Sequence, residues 1–162
     1  MKKEICTIRN ASGQDAEQIR HLFYETVVSI DKSLYTEAQI EKWASFYSDH
    51  TKWVEKISKD NYLAAIDKKN KIIGFCSLQS SGCIDMLYVH GLHQNCGVAS
   101  LLLHSLYTIA DNMSIPKLYT NTNLVAAHFF EKNGFRTHKV SSKYIDGIHF
   151  TNVLMDKRMW LG

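Results

Sequence analysis

The segment Gln94-Asn95-Cys96-Gly97-Val98-Ala99 combines amide, small and glycine residues between a strand-like stretch and a helix-like stretch. A helix that begins near Val98 leaves its first backbone N–H groups without partners, and its dipole adds partial positive charge there. Gly97 and the small Ala99 would let a diphosphate approach the backbone. This geometry favours phosphate binding, although the same residues could simply form a turn that opens a helix. A Rossmann site is disfavoured because the three-glycine fingerprint is missing.

Several side chains near this turn could take part in proton transfer or nucleophilic attack. Asp85 is a charged residue in the otherwise apolar strand "CIDMLYVH", where it could accept a proton, occupy a bulge or pair with a basic residue. Strand alternation would place it on one face with Leu87 and Val89. His90 and His128 are weaker candidates for proton transfer. Cys96 could act as a nucleophile, but no convincing His and acidic partners accompany it.

Composition limits the class of protein. The chain has 162 residues, 45% of them hydrophobic, so we expect one domain over residues 1–162. A net charge of +3 without a basic arm argues against nucleic-acid binding. The cysteines show no C-x-x-C pairing, so reduced thiols are expected rather than disulfides, and no metal is predicted. Without a signal-like N-terminus or a membrane-spanning apolar run, a cytoplasmic protein is expected.

The first half of the chain predicts a strand, three helical segments and a hairpin. The strand covers Ile5 to Arg9, and Ser12 and Asp15 have capping-box spacing before a helix. That helix has apolar-side residues at helical spacing, namely Ile19, Leu22, Phe23, Thr26, Val27 and Ile30. A second capping box, Thr36 with Gln39, begins another helix, and a shorter helical turn follows around Trp53-Val54-Ile57. Two strands, 62–66 and 72–78, are joined by a tight polar turn and predict an antiparallel hairpin.

The second half predicts a strand, a long helix from Val98 and a further strand at 117–120 after Pro116. This order indicates a parallel crossover. A short helix over 124–133 follows, with Asn123 as its N-cap and Gly134 at its C-terminal side. Asp146-Gly147 then divides two strand candidates as a hairpin turn. Together the elements predict a mixed α/β domain.

Two segments of the sequence resemble the GNAT superfamily of N-acetyltransferases. The pattern Gln94-x-x-Gly97-x-Ala99, preceded by "LYVH" and followed by "LLLHSL", resembles the superfamily's acetyl-coenzyme A signature, Q/R-x-x-G-x-G/A. Downstream, "NLVAAHFFEKNGF" is similar to a second family segment, in the expected order and at a similar separation. The resemblance extends from about Ile8 to Met159 and is greatest to small bacterial acyltransferases of largely unassigned substrate. It implies the GNAT fold, with a central, mostly antiparallel sheet, one parallel splayed strand pair and flanking helices.

The resemblance also implies a cofactor site between the "IDMLYVH" and "KLYT" strands. The backbone around Leu87 and Val89 would pair with the pantetheine arm of acetyl-CoA. The remaining cofactor residues implied are Gln94, Asn95, Cys96, Gly97, Val98, Ala99, Ser100, Asn123, Phe129 and Phe130. Because an amine of pKa about 10 arrives protonated, the site needs a proton acceptor, and Asp85 lies where the superfamily often holds its base. Tyr35 is our choice for an acceptor-pocket residue.

The general acid is missing from its usual place, because many family members have a tyrosine where this chain has Phe130. Another tyrosine, such as Tyr119 or Tyr144, could serve, water could protonate the thiolate, or coenzyme A could leave as the thiolate. All three alternatives are open at the level of sequence.

The sequence therefore predicts an N-acetyltransferase that moves acetyl from acetyl-CoA to a primary amine of a small molecule or peptide in a ternary complex. The alternative is a coenzyme A-binding sensor or interaction module with little or no turnover, which the phenylalanine at 130 makes conceivable. No nucleic acid or membrane partner is expected. A free sheet edge could pair two copies in a homodimer.

Overall fold

The computed structural model describes residues 6–159. Its strands and helices follow one another in the order expected for the family, and each was present in the sequence prediction. They are β1 (Thr7–Asn10), α1 (Ala16–Val28), α2 (Glu37–Ala44), α3 (His50–Lys59), β2 (Asn61–Ile66), β3 (Ile72–Leu78), β4 (Ile84–Val89), α4 (Val98–Asn112), β5 (Lys117–Thr122), α5 (Leu124–Lys132), β6 (Arg136–Ile145) and β7 (Ile148–Arg158). Ile5, the predicted start of the first strand, lies outside the described residues.

The strands form two antiparallel sheets that meet at one point. The first sheet has the order β1-β2-β3-β4, and the second has the order β5-β7-β6. They are joined by a parallel bridge between Cys83 and Tyr119, where β4 and β5 begin side by side. The predicted parallel crossover, from β4 through α4 to β5, is therefore confirmed, as is the mostly antiparallel α/β fold with one splayed pair.

Two hydrophobic cores sandwich the first sheet, because its central strands bury both faces. Tyr62, Ala64 and Ile66 of β2 pack in the core beneath α1, α2 and α3. Leu63 and Ala65 point the other way, into the core that contains α4 and the second sheet. Strand β3 is buried along its whole length. Strand β4 pairs with β3 on one side and has the second sheet on its other side.

Local sequence signals explain where most elements begin and end. Thr36 and Gln39 form the predicted capping box: Gln39 donates its backbone N–H to Thr36 Oγ1 at 3.1 Å, and Gln39 Oε1 accepts from Thr36 N at 2.9 Å. Asp146 and Gly147 have φ angles of 49° and 79°, as a two-residue hairpin turn requires. Helix α1 ends at Val28, so Ile30 lies beyond it.

Helix α3 is longer than the short turn predicted around residues 53–57. Asp49 caps it by accepting the backbone N–H of Lys52 at 3.0 Å, and Trp53 and Ile57 anchor its buried face. The apolar stripe of this helix is narrow, which explains why the sequence signal was weak.

No helix among residues 6–159 is long and apolar enough to cross a membrane. One chain is described, so the homodimer and the cytoplasmic location stay predictions.

Candidate active site

A V-shaped opening separates β4 from β5. At its closed end, Tyr119 donates its backbone N–H to Gly82 O at 3.0 Å, and Thr120 Oγ1 donates to Ile84 O at 2.9 Å. Gly82 has a φ of 98°, and a Cβ there would lie 2.4 Å from the carbonyl oxygen of Lys117, so this close approach requires glycine. Beyond Ile84, no hydrogen bond among the described residues joins the two strands, and the edge of β4 is open.

The open edge of β4 presents backbone groups to the opening. His90 donates its N–H to Ile73 O at 2.9 Å, which makes His90 and Ile73 a hydrogen-bonded pair of the β3–β4 ladder. In an antiparallel ladder hydrogen-bonded and non-hydrogen-bonded pairs alternate, so the N–H and C=O groups of Leu87 and Val89 point away from β3. The Val89 carbonyl accepts Gln94 Nε2 at 3.1 Å, while Leu87 keeps both groups available to a ligand.

The opening leads to the turn at residues 94–97 and the N-terminus of α4. Asn95 and Gly97 have φ angles of 60° and 88°, and Gly97 is the N-cap of the helix without any side-chain cap. Within the described part of the chain, the backbone N–H groups of Val98, Ala99 and Ser100 have no acceptor. A Cβ at Gly97 would meet no atom within 4 Å. The turn is therefore an open concave surface lined by amides at a positive helix end.

A cavity of about 330 Å³ occupies the opening, and we call it the cleft cavity. Its walls come from α2, β4, β5, α5 and the β6–β7 hairpin. Of the predicted site residues, the structure brings together Tyr35, Asp85, Leu87, Asn123 and Phe130 along these walls. Val89, Phe129 and the turn at 94–100 lie outside its lining.

A second cavity, also of about 330 Å³, lies between β4 and helices α1 to α3. We call it the aromatic cavity, because Phe23, Trp43, Phe46 and Trp53 line it together with Tyr88. Five residues line both cavities and so mark where they adjoin: Trp43, Phe46, Asp85, Tyr88 and Lys143.

Asp85 lies at this junction because of a bulge in β4. Ile84 pairs with Leu78 and Met86 pairs with Ser77, which leaves Asp85 without a partner on β3. The bulge interrupts the expected alternation, so Asp85 lines the aromatic cavity with Met86 as well as the cleft cavity with Leu87. Its carboxylate also pairs with Lys56 Nζ on α3 at 3.2 Å. Both alternatives left open by the sequence, a bulge and a basic partner, describe its surroundings.

A family model described as an acetyltransferase (GNAT) domain matches residues 31–157, which include the α4 turn and every residue that lines the two cavities except Phe23. The chain belongs to the GNAT family of acetyltransferases. The predicted recognition and the predicted enzyme class are thereby confirmed.

Individual GNAT proteins agree with this assignment. The uncharacterized N-acetyltransferase YafP of Escherichia coli K12 is 32% identical over 148 residues, covering 91% of this chain and 93% of that protein. A crystal structure of a GCN5-related N-acetyltransferase from Rhodopseudomonas palustris has a TM-score of 0.90 and 28% identity, with 98% of each chain covered. The PaiA N-acetyltransferase of Thermoplasma acidophilum, solved with coenzyme A, shares the fold at a TM-score of 0.78 and 20% identity, covering 96% of this chain and 99% of that one.

Compared with the GNAT pattern, the cleft cavity has phenylalanine at the usual tyrosine position. Phe130 is 2% exposed and packs edge-on against Phe129 and Phe135. The two tyrosines suggested by the sequence lie elsewhere: Tyr119 Oη bonds Ser81 Oγ at 3.0 Å, and Tyr144 is 69% exposed. Neither lines either cavity.

Two other tyrosines do line the cleft cavity of this GNAT chain. Trp43 Nε1 donates to Tyr88 Oη at 3.2 Å, which leaves the Tyr88 hydroxyl proton free for another acceptor. Burial raises the pKa of Tyr88 well above its ordinary value, and the nearby Asp85 charge adds to the shift. Tyr88 was missed as a site residue because an aromatic residue in an apolar strand looks like core.

Tyr35, the predicted pocket residue, is 9% exposed, and its hydroxyl has no hydrogen-bond partner among the described residues. Burial raises the pKa of Tyr35. The nearby backbone N–H of Leu124 favours the charged form and offsets part of this rise. An unsatisfied buried hydroxyl at a cavity wall is a group that a ligand could satisfy.

The weaker candidates lie outside the two cavities. His90 pairs with Glu25 at 2.9 Å beyond the end of β4, and His128 is exposed on α5. Cys96 is exposed in the turn before α4, where its Sγ donates to Gln94 O at 3.4 Å. No group of three or more His, Cys, Asp or Glu side chains within residues 6–159 is arranged to hold a metal ion.

The β6–β7 hairpin closes the site from the side opposite β4. Gln39 Nε2 on α2 donates to His149 O at 2.6 Å, and Lys42 pairs with Asp146 in the hairpin turn. These contacts join residues more than 100 positions apart, so no local sequence signal could have predicted them.

Proposed function

We propose that this GNAT acetyltransferase transfers the acetyl group of acetyl-CoA to a primary amine of a small molecule or peptide, by direct attack in a ternary complex. The observation that carries the proposal is the β4–β5 opening, whose free β4 edge leads to the uncapped N-terminus of α4. A ligand with an extended amide-containing arm and a diphosphate matches both parts.

The donor is held mainly by backbone groups in this proposal. The amides from Asn95 to Ser100 bind the diphosphate, since the helix N-terminus supplies unpaired donors and partial positive charge. The outward-facing carbonyl of Leu87 and the N–H of Val89 pair with the pantetheine amides as a neighbouring strand would. Gln94 fixes the end of β4 through its bond to the Val89 carbonyl.

The far wall contributes shape and one amide side chain. Asn123 caps α5 by accepting the Ala126 N–H at 2.8 Å, which leaves its amide nitrogen available to the cleft cavity. Phe130 lines the same cavity, and Phe129 packs behind it. We assign Phe130 to enclosing the pantetheine arm, where its ring excludes water from the thioester, and Phe129 to supporting that ring.

Asp85 is the proposed general base. Its carboxylate is half-buried at the junction of the two cavities, where an amine in the aromatic cavity would face a thioester in the cleft cavity. It takes a proton from the ammonium group directly or through one water, and the free amine then attacks the thioester carbon. The C–S bond breaks as the tetrahedral intermediate collapses, and the second proton on the nitrogen passes through water to solvent, which leaves a neutral amide. We assign the outward-facing N–H of Leu87 to stabilising the negative charge that develops on the thioester oxygen.

Coenzyme A leaves as the thiolate in this scheme. The tyrosines that line the cleft cavity have pKa values raised by burial, whereas an ordinary thiol has a pKa of about 8.5. Full proton transfer from either phenol to the thiolate is therefore uphill. Tyr88 can instead donate a hydrogen bond to it with the proton that the Trp43 contact leaves free. No Cys96 intermediate is needed, since Cys96 does not line the cleft cavity.

A thiol-release assay with acetyl-CoA and a panel of primary amines tests the proposal, with mass spectrometry to identify the product. We expect coenzyme A release that depends on the amine, with one acetyl group added to its nitrogen. Acetyl-CoA binding without amine-dependent release would instead support the sensor alternative. Accumulation of an acetylated Cys96 would contradict direct transfer.

A further inference from the structure

The charge around the aromatic cavity is unbalanced. Three lysines line it, Lys52, Lys56 and Lys143, against a single carboxylate, Asp85. Lys56 is the partner of Asp85, at 3.2 Å. Neither Lys52 nor Lys143 has a carboxylate within 4.0 Å in the part of the chain that the structure describes. Two positive charges at this cavity are therefore uncompensated by the protein.

The lysines approach the cavity from opposite sides. Lys52 and Lys56 are four residues apart on α3 and so lie on one face of that helix. Lys143 comes from β6 in the hairpin, across the opening, and its side chain is exposed. Between these charges the walls are apolar, with rings from Phe23, Trp43, Phe46 and Trp53.

Asp85 and Lys143 both line the cleft cavity as well, so an anionic and a cationic side chain, more than 4.0 Å apart, both border the place where the two cavities adjoin. An α-amino acid carries its amine and its carboxylate on one carbon. Such a group could place its ammonium at Asp85 and its carboxylate at Lys143, with its side chain among the aromatic rings. A simple amine satisfies Asp85 and leaves Lys143 without a partner.

We propose that the acceptor bound in the aromatic cavity is an α-amino acid with an aromatic or large apolar side chain. The proposal rests on the acetyl transfer proposed above and names the acceptor class for that site. A polyamine is disfavoured, because its second ammonium group would meet Lys52, Lys56 or Lys143.

Matched substrate pairs that differ only by the carboxylate test this acceptor class. Thiol release is measured at saturating acetyl-CoA with phenylalanine against 2-phenylethylamine, tryptophan against tryptamine, and spermidine alone. We expect each amino acid to exceed its decarboxylated partner in kcat/KM by about tenfold, as one charge-assisted contact gives, and to exceed spermidine further. Equal or better turnover of the decarboxylated amines, or a preference for spermidine, overturns the proposal.

The variant Lys143→Met tests whether Lys143 binds the carboxylate of the amino acid. We expect it to raise KM for phenylalanine about fivefold to tenfold and to change KM for 2-phenylethylamine less than about twofold, because the latter has no carboxylate. Lys139→Met is the matched control: it is an exposed lysine of the same strand that lines neither cavity. An equal effect of Lys143→Met on both substrates contradicts the assignment.

Failure of this inference can be distinguished from failure of the proposed function by calorimetry. If acetyl-CoA does not bind, the donor site is wrong and both proposals fail. If acetyl-CoA binds and only non-carboxylated amines are acetylated, the acceptor class alone is overturned. If acetyl-CoA binds and no amine is acetylated, the proposed transfer and the acceptor class both fail.

Discussion

At the scale of single residues, Asp85 occupies a position that an ordinary strand would not provide. The bulge between Ile84 and Met86 turns its carboxylate to the junction of the two cavities. Lys56 balances its charge in the absence of an amine. In the proposed mechanism, the same placement lets one carboxylate face both the donor assigned to the cleft cavity and the acceptor assigned to the aromatic cavity.

Replacing Asp85 by Asn tests the base. We expect kcat/KM for the amine to fall by about 10² to 10⁴ near neutral pH, as loss of a general base does. The remaining rate should rise with pH in proportion to the free amine, toward its pKa of about 10. Thiol release measured from pH 6 to about 10 gives both results.

Two controls keep this test specific. Asp111→Asn alters an exposed aspartate of α4 outside both cavities and should leave the profile unchanged. Binding of acetyl-CoA to the Asp85 variant should match that of the unaltered protein. An Asp85 variant with full activity across the pH range would remove this residue from the mechanism.

Tyr35→Phe separates stability from binding. The hydroxyl is buried without a hydrogen-bond partner among the described residues, so its removal should leave the free energy of unfolding unchanged or raise it by about 1 kcal/mol. Because Tyr35 lines the cleft cavity assigned to the donor and not the aromatic cavity, KM for acetyl-CoA should increase more than KM for the amine. Denaturant unfolding and thiol release measure the two effects, and a loss of stability of about 2 kcal/mol or more would contradict this view of Tyr35.

At the scale of elements, the site depends on two strands that begin together and then separate. The contacts of Gly82 and Thr120 hold the closed end, and the absence of further β4–β5 hydrogen bonds among the described residues leaves the β4 edge to a ligand. Helix α4 then begins with Gly97 in the left-handed region, so its first amides face outward without a competing side-chain cap.

Gly97→Ala should weaken donor binding. Its φ of 88° is unfavourable for alanine by about 1 kcal/mol, and the new Cβ would project into the space assigned to the diphosphate. We expect the dissociation constant for acetyl-CoA to rise about tenfold or more, as measured by calorimetry. Gly147→Ala is the strain-matched control, since Gly147 has a φ of 79° and an equally open Cβ position. Equal acetyl-CoA affinities in the two variants would contradict the diphosphate site.

Sequence patterns predicted these elements well where the signal is local. The Thr36–Gln39 capping box, the Asp146-Gly147 turn and the glycine before α4 each involve neighbouring residues and a backbone conformation that few residue types allow. The bulge at Asp85 was only one of several alternatives, because it depends on the register of β3.

The acceptor side of the site was not predictable in the same way. The Trp43–Tyr88 contact and the bond from Gln39 to the His149 carbonyl join distant parts of the chain. No local pattern in the sequence marks Lys143 as a site residue. Only the folded arrangement brings it to the same cavity junction as Asp85.

At the scale of the whole molecule, two carboxylates join neighbouring elements of the chain through ion pairs. Arg9 of β1 bonds Asp15 before α1 at 2.8 and 2.9 Å, and this guanidinium holds the pKa of Asp15 below its ordinary value. Asp156 of β7 is 3% exposed; burial favours its neutral form, but hydrogen bonds from Arg136 and His138 outweigh burial and lower its pKa.

These lowered pKa values predict acid sensitivity. A carboxyl with a lower pKa in the folded state adds stability that is complete above its unfolded pKa of about 3.9 and is lost as pH falls through the folded value. The free energy of unfolding should therefore decrease steadily below about pH 4.

Urea unfolding of Asp156→Asn tests whether this carboxylate contributes stability that is lost at low pH. At pH 7 the variant should have a lower free energy of unfolding than the unaltered protein, because Arg136 and His138 lose a buried acceptor. Toward pH 3 this difference in the free energy of unfolding should shrink, because Asp156 of the unaltered protein takes up about one proton. The control Asp111→Asn should show the same pH dependence of the free energy of unfolding as the unaltered protein. A difference that is constant with pH would contradict the role of Asp156.

The proposed acetyl-CoA site consists of the β4–β5 opening and the start of α4. Isothermal titration calorimetry of the protein with acetyl-CoA tests this assignment. We expect one site per chain with a dissociation constant on the order of micromolar, weakened by Gly97→Ala and unchanged by Gly147→Ala. No detectable heat of binding at several hundred micromolar acetyl-CoA, or equal affinity in both glycine variants, would contradict it.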